Sequence, residues 1–132
     1  MKIIIDASNA ILGRLASFAA KQSLLGKEVV IVNCNDAVIT GNRSTTVSTY
    51  KEKKGRGGAS LNGPMFPRSP ERIVKRTVRG MLSYTQERGR SALKRVMCYN
   101  KVPAEYEKAE KIIAGKEKKT KTIKLSELGR II

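Results

Sequence analysis

Hydrophobic positions fall first in runs and then in stripes. Lys2-Ile3-Ile4-Ile5-Asp6 and Glu28-Val29-Val30-Ile31-Val32-Asn33 are apolar at consecutive positions and rich in β-branched side chains. Such runs predict strands buried on both faces, the pattern of a parallel sheet. Between them, Ile11, Leu12, Leu15, Phe18 and Ala19 recur at helical spacing, with Arg14, Ser17 and Lys21 opposite. That spacing predicts an amphipathic helix over 11–25, stopped by Gly26. The three elements form a strand–helix–strand unit with a right-handed crossover.

Residues 37–41 predict a short strand or turn, and 43–54 a weaker helix that carries Tyr50 and ends at Gly55. Gly55, Gly57, Gly58, Gly63, Pro64 and Pro67 then break the chain into a loop. This loop, 55–68, is expected to be mobile alone and fixed on a ligand. Ser69-Pro70-Glu71 opens a helix, with Ser as N-cap, Pro at the first helical position and an acid in the first turn. Its pattern runs to about Tyr84. A second basic helix is expected near 91–95, a strand over 96–99 and a helix over 105–114. Residues 116–124 read as a polar loop, and 125–132 as an apolar-bearing end docked on the core.

Charge changes the picture. The 132 residues carry 27 Lys and Arg against 11 Asp and Glu, a net of +16. That length suits one domain, 1–132, and the excess of bases implies a polyanionic partner. Residues 1–42 are nearly neutral, whereas 43–101 hold nine Arg and six Lys against Glu52, Glu71 and Glu87, a net of +12. A basic middle, 43–101, thus precedes a helical tail, 102–132. There is no His, and Cys34 and Cys98 are the only cysteines. Histidine catalysis is excluded, and so is a four-thiolate zinc site within one chain. No signal peptide or membrane span is evident, so a reducing cytoplasm with spectator thiols is expected.

Catalytic chemistry finds little support. Gly26-Lys27 is followed by Glu28 and opens a strand, so it is no phosphate loop. Asp6 and Asp36 lie near strand C-terminal ends, where open α/β sheets place ligands. The plainer reading is that each satisfies local backbone N–H groups. No catalytic residue, metal ligand, cofactor or small-molecule substrate is expected.

The helix after Ser69 is the informative element. At 100° per residue, Arg72, Lys75, Arg76 and Arg79 share a narrow arc, and Ile73, Val74, Thr77, Val78 and Met81 lie opposite. A solvated face usually mixes acids with bases; here only Glu71 is acidic. The candidate RNA contacts are Arg43, Lys51, Lys53, Lys54, Arg56, Gly57, Gly58, Arg68, Arg72, Lys75, Arg76, Arg79, Arg88, Arg90, Lys94 and Arg95. Arginine forks match phosphate oxygens, and glycine permits close backbone approach. With no Trp, and Phe66 alone in the basic loop, base stacking is disfavoured against a phosphate grip on double-helical RNA. A DNA reader and a small α/β enzyme using Asp6 or Asp36 remain as alternatives.

The run Ser69-Pro70-Glu71-Arg72-Ile73-Val74-Lys75-Arg76-Thr77-Val78-Arg79-Gly80-Met81-Leu82 resembles the large-subunit ribosomal protein L-thirteen family, in its archaeal form. So do Asp6-Ala7, Leu12-Gly13-Arg14-Leu15-Ala16-Ser17, Val32-Asn33, Ile39-Thr40-Gly41-Asn42, and Gly89 with Ala92-Leu93-Lys94-Arg95 and Tyr99. The resemblance spans most of 1–106. It implies a single-domain, three-layer α/β/α fold around a mostly parallel sheet, with basic loop and helix extensions. It also implies a structural role in the cytoplasmic large ribosomal subunit, holding large-subunit rRNA beside neighbouring ribosomal proteins. Family aromatics are absent where Val74 and Lys75 stand, Met65, Phe66 and Pro67 depart from the family's loop (Phe66 standing where the family has His), and Cys98 and Lys101 are further departures.

Overall fold

The computed structural model describes residues 2–56, 66–113 and 121–132. The predicted strand–helix–strand unit is present as β1 (Lys2–Asp6), α1 (Leu12–Leu24) and β2 (Glu28–Val32). β1 and β2 pair in parallel, Lys2 with Glu28 through Asp6 with Val32. Gly26, at φ +95°, takes the chain out of α1 in a conformation side chains disfavour. A one-turn 3-10 helix, Cys34–Asp36, leads to β3 (Val38–Thr40) and α2 (Arg43–Lys54). Then come α3 (Pro70–Gly80), α4 (Glu87–Lys94) and β4 (Val96–Cys98). A 3-10 turn at Ala104–Tyr106, β5 (Ile112–Ile113), β6 (Thr122–Lys124) and α5 (Leu125–Ile131) complete the order.

The main sheet runs β4-β2-β1-β5 and is parallel throughout; β3 and β6 form a separate antiparallel pair. Strand alternation divides the core in two. Ile3, Ile5, Val29, Ile31 and Val96 face the larger part, with Leu12, Leu15 and Ala19 of α1 and Ile73, Val74 and Val78 of α3. Ile123, Leu125, Leu128 and Ile132 join that same cluster, so the 125–132 end does dock on the core. Ile4, Val30 and Val32 face the other way, beneath Tyr99, Val102, Tyr106 and Ala109.

That second face corrects the tail. Residues 105–113 are not a helix: one 3-10 turn is followed by β5, and the last residue of the expected helix, 114, lies outside the described residues. β4 and β5 lie on opposite edges of the sheet, so the intervening chain must cross both β2 and β1. An extended path gains about 3.3 Å per residue against 1.5 Å in a helix. It also sets Tyr106 and Ala109 over the apolar strands and brings the β-branched Ile112 beside Ile5.

The helix after Ser69 ends at Gly80, short of Tyr84, and α4 starts earlier than expected, at Glu87. Both follow from Gly89, which is buried with its α-carbon directly against the Ser83 carbonyl and the Tyr84 N–H; no side chain fits there. The 81–86 turn folds back to make that contact. Met81 consequently lies exposed in the turn instead of on the apolar face, and Leu82 is buried in its stead. Among the described residues no helix is long and apolar enough to cross a membrane.

Candidate RNA interface

The candidate interface is built on α3. Ile73, Val74 and Val78 are buried against α1 and the sheet, which turns the remaining arc outward. Arg72 is exposed; Lys75, Arg76 and Arg79 are half-buried along their stems. The helix start differs from expectation in one respect. Ser69 occupies the N-cap but its hydroxyl makes no capping bond. Asn100 supplies the acceptor, its Oδ1 taking the Glu71 N–H at 3.0 Å.

Not every base on the arc is free of the protein. Lys75 Nζ donates to the Val96 carbonyl, tying α3 to the β4 edge. Beside it, a groove of about 240 Å³ runs between α3 and β4, lined by Arg72, Lys75, Arg79, Leu93 and Met97. Arg76 lays its guanidinium 4.0 Å from the Phe66 ring centre, and Arg79 lies 4.2 Å from that of Tyr84. Lys53 of α2 sits 5.5 Å from the Tyr50 ring centre and 5.8 Å from that of Phe66. These residues wall an open cavity of about 670 Å³. Three of the six aromatic residues of the chain are gathered there.

This gathering is what sequence reasoning missed. Tyr50, Phe66 and Tyr84 stand on three separate segments, and Phe66 looked isolated because its partners are distant in sequence. One local signal existed: Tyr50 and Lys53 are spaced i,i+3 on the 43–54 helix, which puts both on one side.

The other candidates are dispersed. Arg88 and Lys94 are exposed on α4; Arg90 lies 3.5 Å from Glu87. Arg95 donates to the Ser23 carbonyl at 2.8 Å and so closes the end of α1. Arg56 pairs loosely with Glu52, and Lys51 is exposed on the same helix. Arg43, at the far end of α2, pairs with Glu127 of α5 at 2.9 Å, away from the α3 stripe. Lys54 donates to the Ile132 carbonyl at 2.9 Å. Its pKa is lowered by desolvation and by the nearby Arg68. The Arg68 carbonyl packs on Gly129, where any side chain would collide with it. Gly57 and Gly58, and most of the loop expected to order on RNA, lie outside the described residues.

The two acids set aside in the sequence are structural. Asp6 Oδ1 accepts from the Ser8 N–H and from Asn33 Nδ2, both at 3.0 Å. Partial burial pushes its carboxyl up, but these hydrogen bonds outweigh that and hold it below the usual value. Asn33 reaches Asp6 from the left-handed region, at φ 60°. Asp36 meets Lys124 at 3.8 Å instead of a local N–H. Cys34 and Cys98 are free thiols; the Cys98 hydrogen bond and burial raise the pKa of Cys34. Among the described residues no cluster of three or more potential metal ligands occurs.

Comparison with known proteins shows the family. The family model described as Ribosomal protein L13 matches residues 1–105. A large ribosomal subunit protein uL13 of Methanosarcina barkeri is 51% identical over 110 residues, covering 83% of this chain and 78% of its own. That of Archaeoglobus fulgidus is 47% identical over 135 residues, covering 98% of this chain and 86% of its own. That of Methanocaldococcus jannaschii is 47% identical over 130 residues, covering 96% and 94%. The blocks that carried the resemblance all lie inside the matched region, and the chain belongs to the ribosomal protein L13 family.

Proposed function

We propose that this chain binds and stabilises folded large-subunit rRNA, early in subunit assembly, beside neighbouring ribosomal proteins. As a member of a ribosomal protein family it is a structural component and not an enzyme. One observation carries the reading: α3 buries its apolar face and carries Arg72, Arg76 and Arg79 on the other, with Lys75 beside them tied to the Val96 carbonyl and Glu71 as its single acid. Cations so arranged cost folding free energy through mutual repulsion, and a polyanion removes that cost. A-form duplex RNA offers phosphates at close spacing, and arginine forks bind them without reading sequence. Arg88 and Lys94 of α4 are exposed cations as well.

The test is co-sedimentation of the native protein with large ribosomal subunits at moderate salt. Retention on the large subunit, and release of the Arg72, Arg76 and Arg79 triple Gln variant at a lower salt concentration, is expected. Recovery of the wild-type chain only in the free fraction overturns the proposal. For the early role, order-of-addition reconstitution is decisive: chain added to finished particles incorporates poorly if it acts early, and fully if it does not.

A further inference from the structure

The cavity between α2 and α3 has a different character from the phosphate-gripping arc. Its walls carry three aromatic rings, and each ring has a cation near its face: Lys53 by Tyr50, Arg76 on Phe66, Arg79 on Tyr84. Among the described residues no acid lines it, whereas the groove beside β4 includes Glu71. At about 670 Å³ it falls within the roughly 300–1,000 Å³ of sites that enclose small organic molecules. Phosphates need only surface cations; a recess with π-faces is what an extruded base needs. Guanidinium planes and aromatic rings are the two surfaces on which unstacked RNA bases are held.

We infer that this cavity receives a single unpaired nucleobase, bulged from a helix of the bound RNA, stacked among Tyr50, Phe66 and Tyr84 with its flanking phosphates on Lys53, Arg76 and Arg79. The inference rests on the RNA-binding reading and adds to it a base-accepting site. Rings spaced around an open recess tolerate any base, so the site selects for an unpaired nucleotide and not for one base identity.

The experiment compares two RNA hairpins with the full chain: one with a fully paired stem, and one identical but for a single bulged 5-iodouridine. The bulged hairpin is expected to bind about 5- to 150-fold more tightly, the gain from stacking one base. The double variant Phe66→Ala, Tyr84→Ala should lose that preference and keep the affinity for the paired stem. Phe66→Tyr, which retains the ring, should keep the preference. Ultraviolet cross-linking of the iodouridine should map to Tyr50, Phe66 or Tyr84. Equal affinity of the wild type for the two hairpins overturns the base site and leaves the phosphate grip standing. So does a preference that survives the double variant, or a cross-link mapped to another segment. Failure to bind either hairpin overturns both readings. A circular dichroism spectrum unchanged from wild type shows that the double variant is folded.

Discussion

The Glu71 backbone N–H donates to the Asn100 side chain at 3.0 Å, so the start of α3 is capped from a segment 29 residues later in the chain. The same contact joins the basic helix to the chain leaving β4. Asn100→Ala should therefore cost about 1 kcal/mol, the usual worth of an N-cap, in urea denaturation. Ser69→Ala, whose hydroxyl makes no such bond, should stay within about 0.5 kcal/mol of wild type. Equal losses from the two substitutions would show that the Asn100 contact is not the operative cap.

Gly89 separates two explanations of a helical glycine. Because its α-carbon meets the Ser83 carbonyl, Gly89→Ala should destabilise by about 1–3 kcal/mol through overpacking. Gly13 in α1 has open space around its missing side chain, and Gly13→Ala should stabilise by roughly 0.4–1 kcal/mol. Thermal melts of the two variants should move in opposite directions.

Changing Arg72, Arg76 and Arg79 together to Gln should lower the slope of log affinity against log salt by about 2–3, or 0.7–0.9 for each phosphate lost. Filter binding to structured rRNA across a salt series measures it. An unchanged slope would mean that the stripe is solvated.

Asp6 makes a pH-dependent contribution. Its folded-state pKa lies below the ordinary 3.8, so the carboxylate stabilises the fold above that value and the benefit disappears as pH falls through the folded-state pKa. Asp6→Asn should cost about 0.5–1 kcal/mol near neutrality, a modest figure because water screens a partly exposed carboxylate. The gap from wild type should close as pH falls below about 3.8. A gap that does not shrink at all as pH falls below 3.8 would trace the loss to packing. RNA binding should survive this substitution.

The elements with local causes were legible in the chain. The apolar runs of β1 and β2, the stripe of α1, and α2 from Arg43 to Lys54 follow from spacing and from the glycines behind them. The cation arc on α3 was equally plain, since helical periodicity alone sets it. What escaped was set by distant partners. Residues 105–113 carry helix-compatible charges, yet the crossing beneath the sheet decides their course. The aromatic cavity escaped for the same reason, being assembled from Tyr50, Phe66 and Tyr84 on three segments. Lys75 and Arg95 read as solvent-facing cations, and both are turned to backbone carbonyls that only the fold brings near.

The pairing of β6 with β3, and the burial of Ile123, Leu125 and Leu128 beside Ile5 and Val74, has a consequence for biogenesis. These side chains fill the cluster that β1 and α1 begin, more than a hundred residues earlier. Chain elongation delivers the first strands seconds before those last core residues, at about 5–20 residues per second. The nascent polypeptide therefore lacks part of the cover of its central sheet until residues 122–132 have left the exit tunnel, and the contacts they make are among the most non-local of the fold.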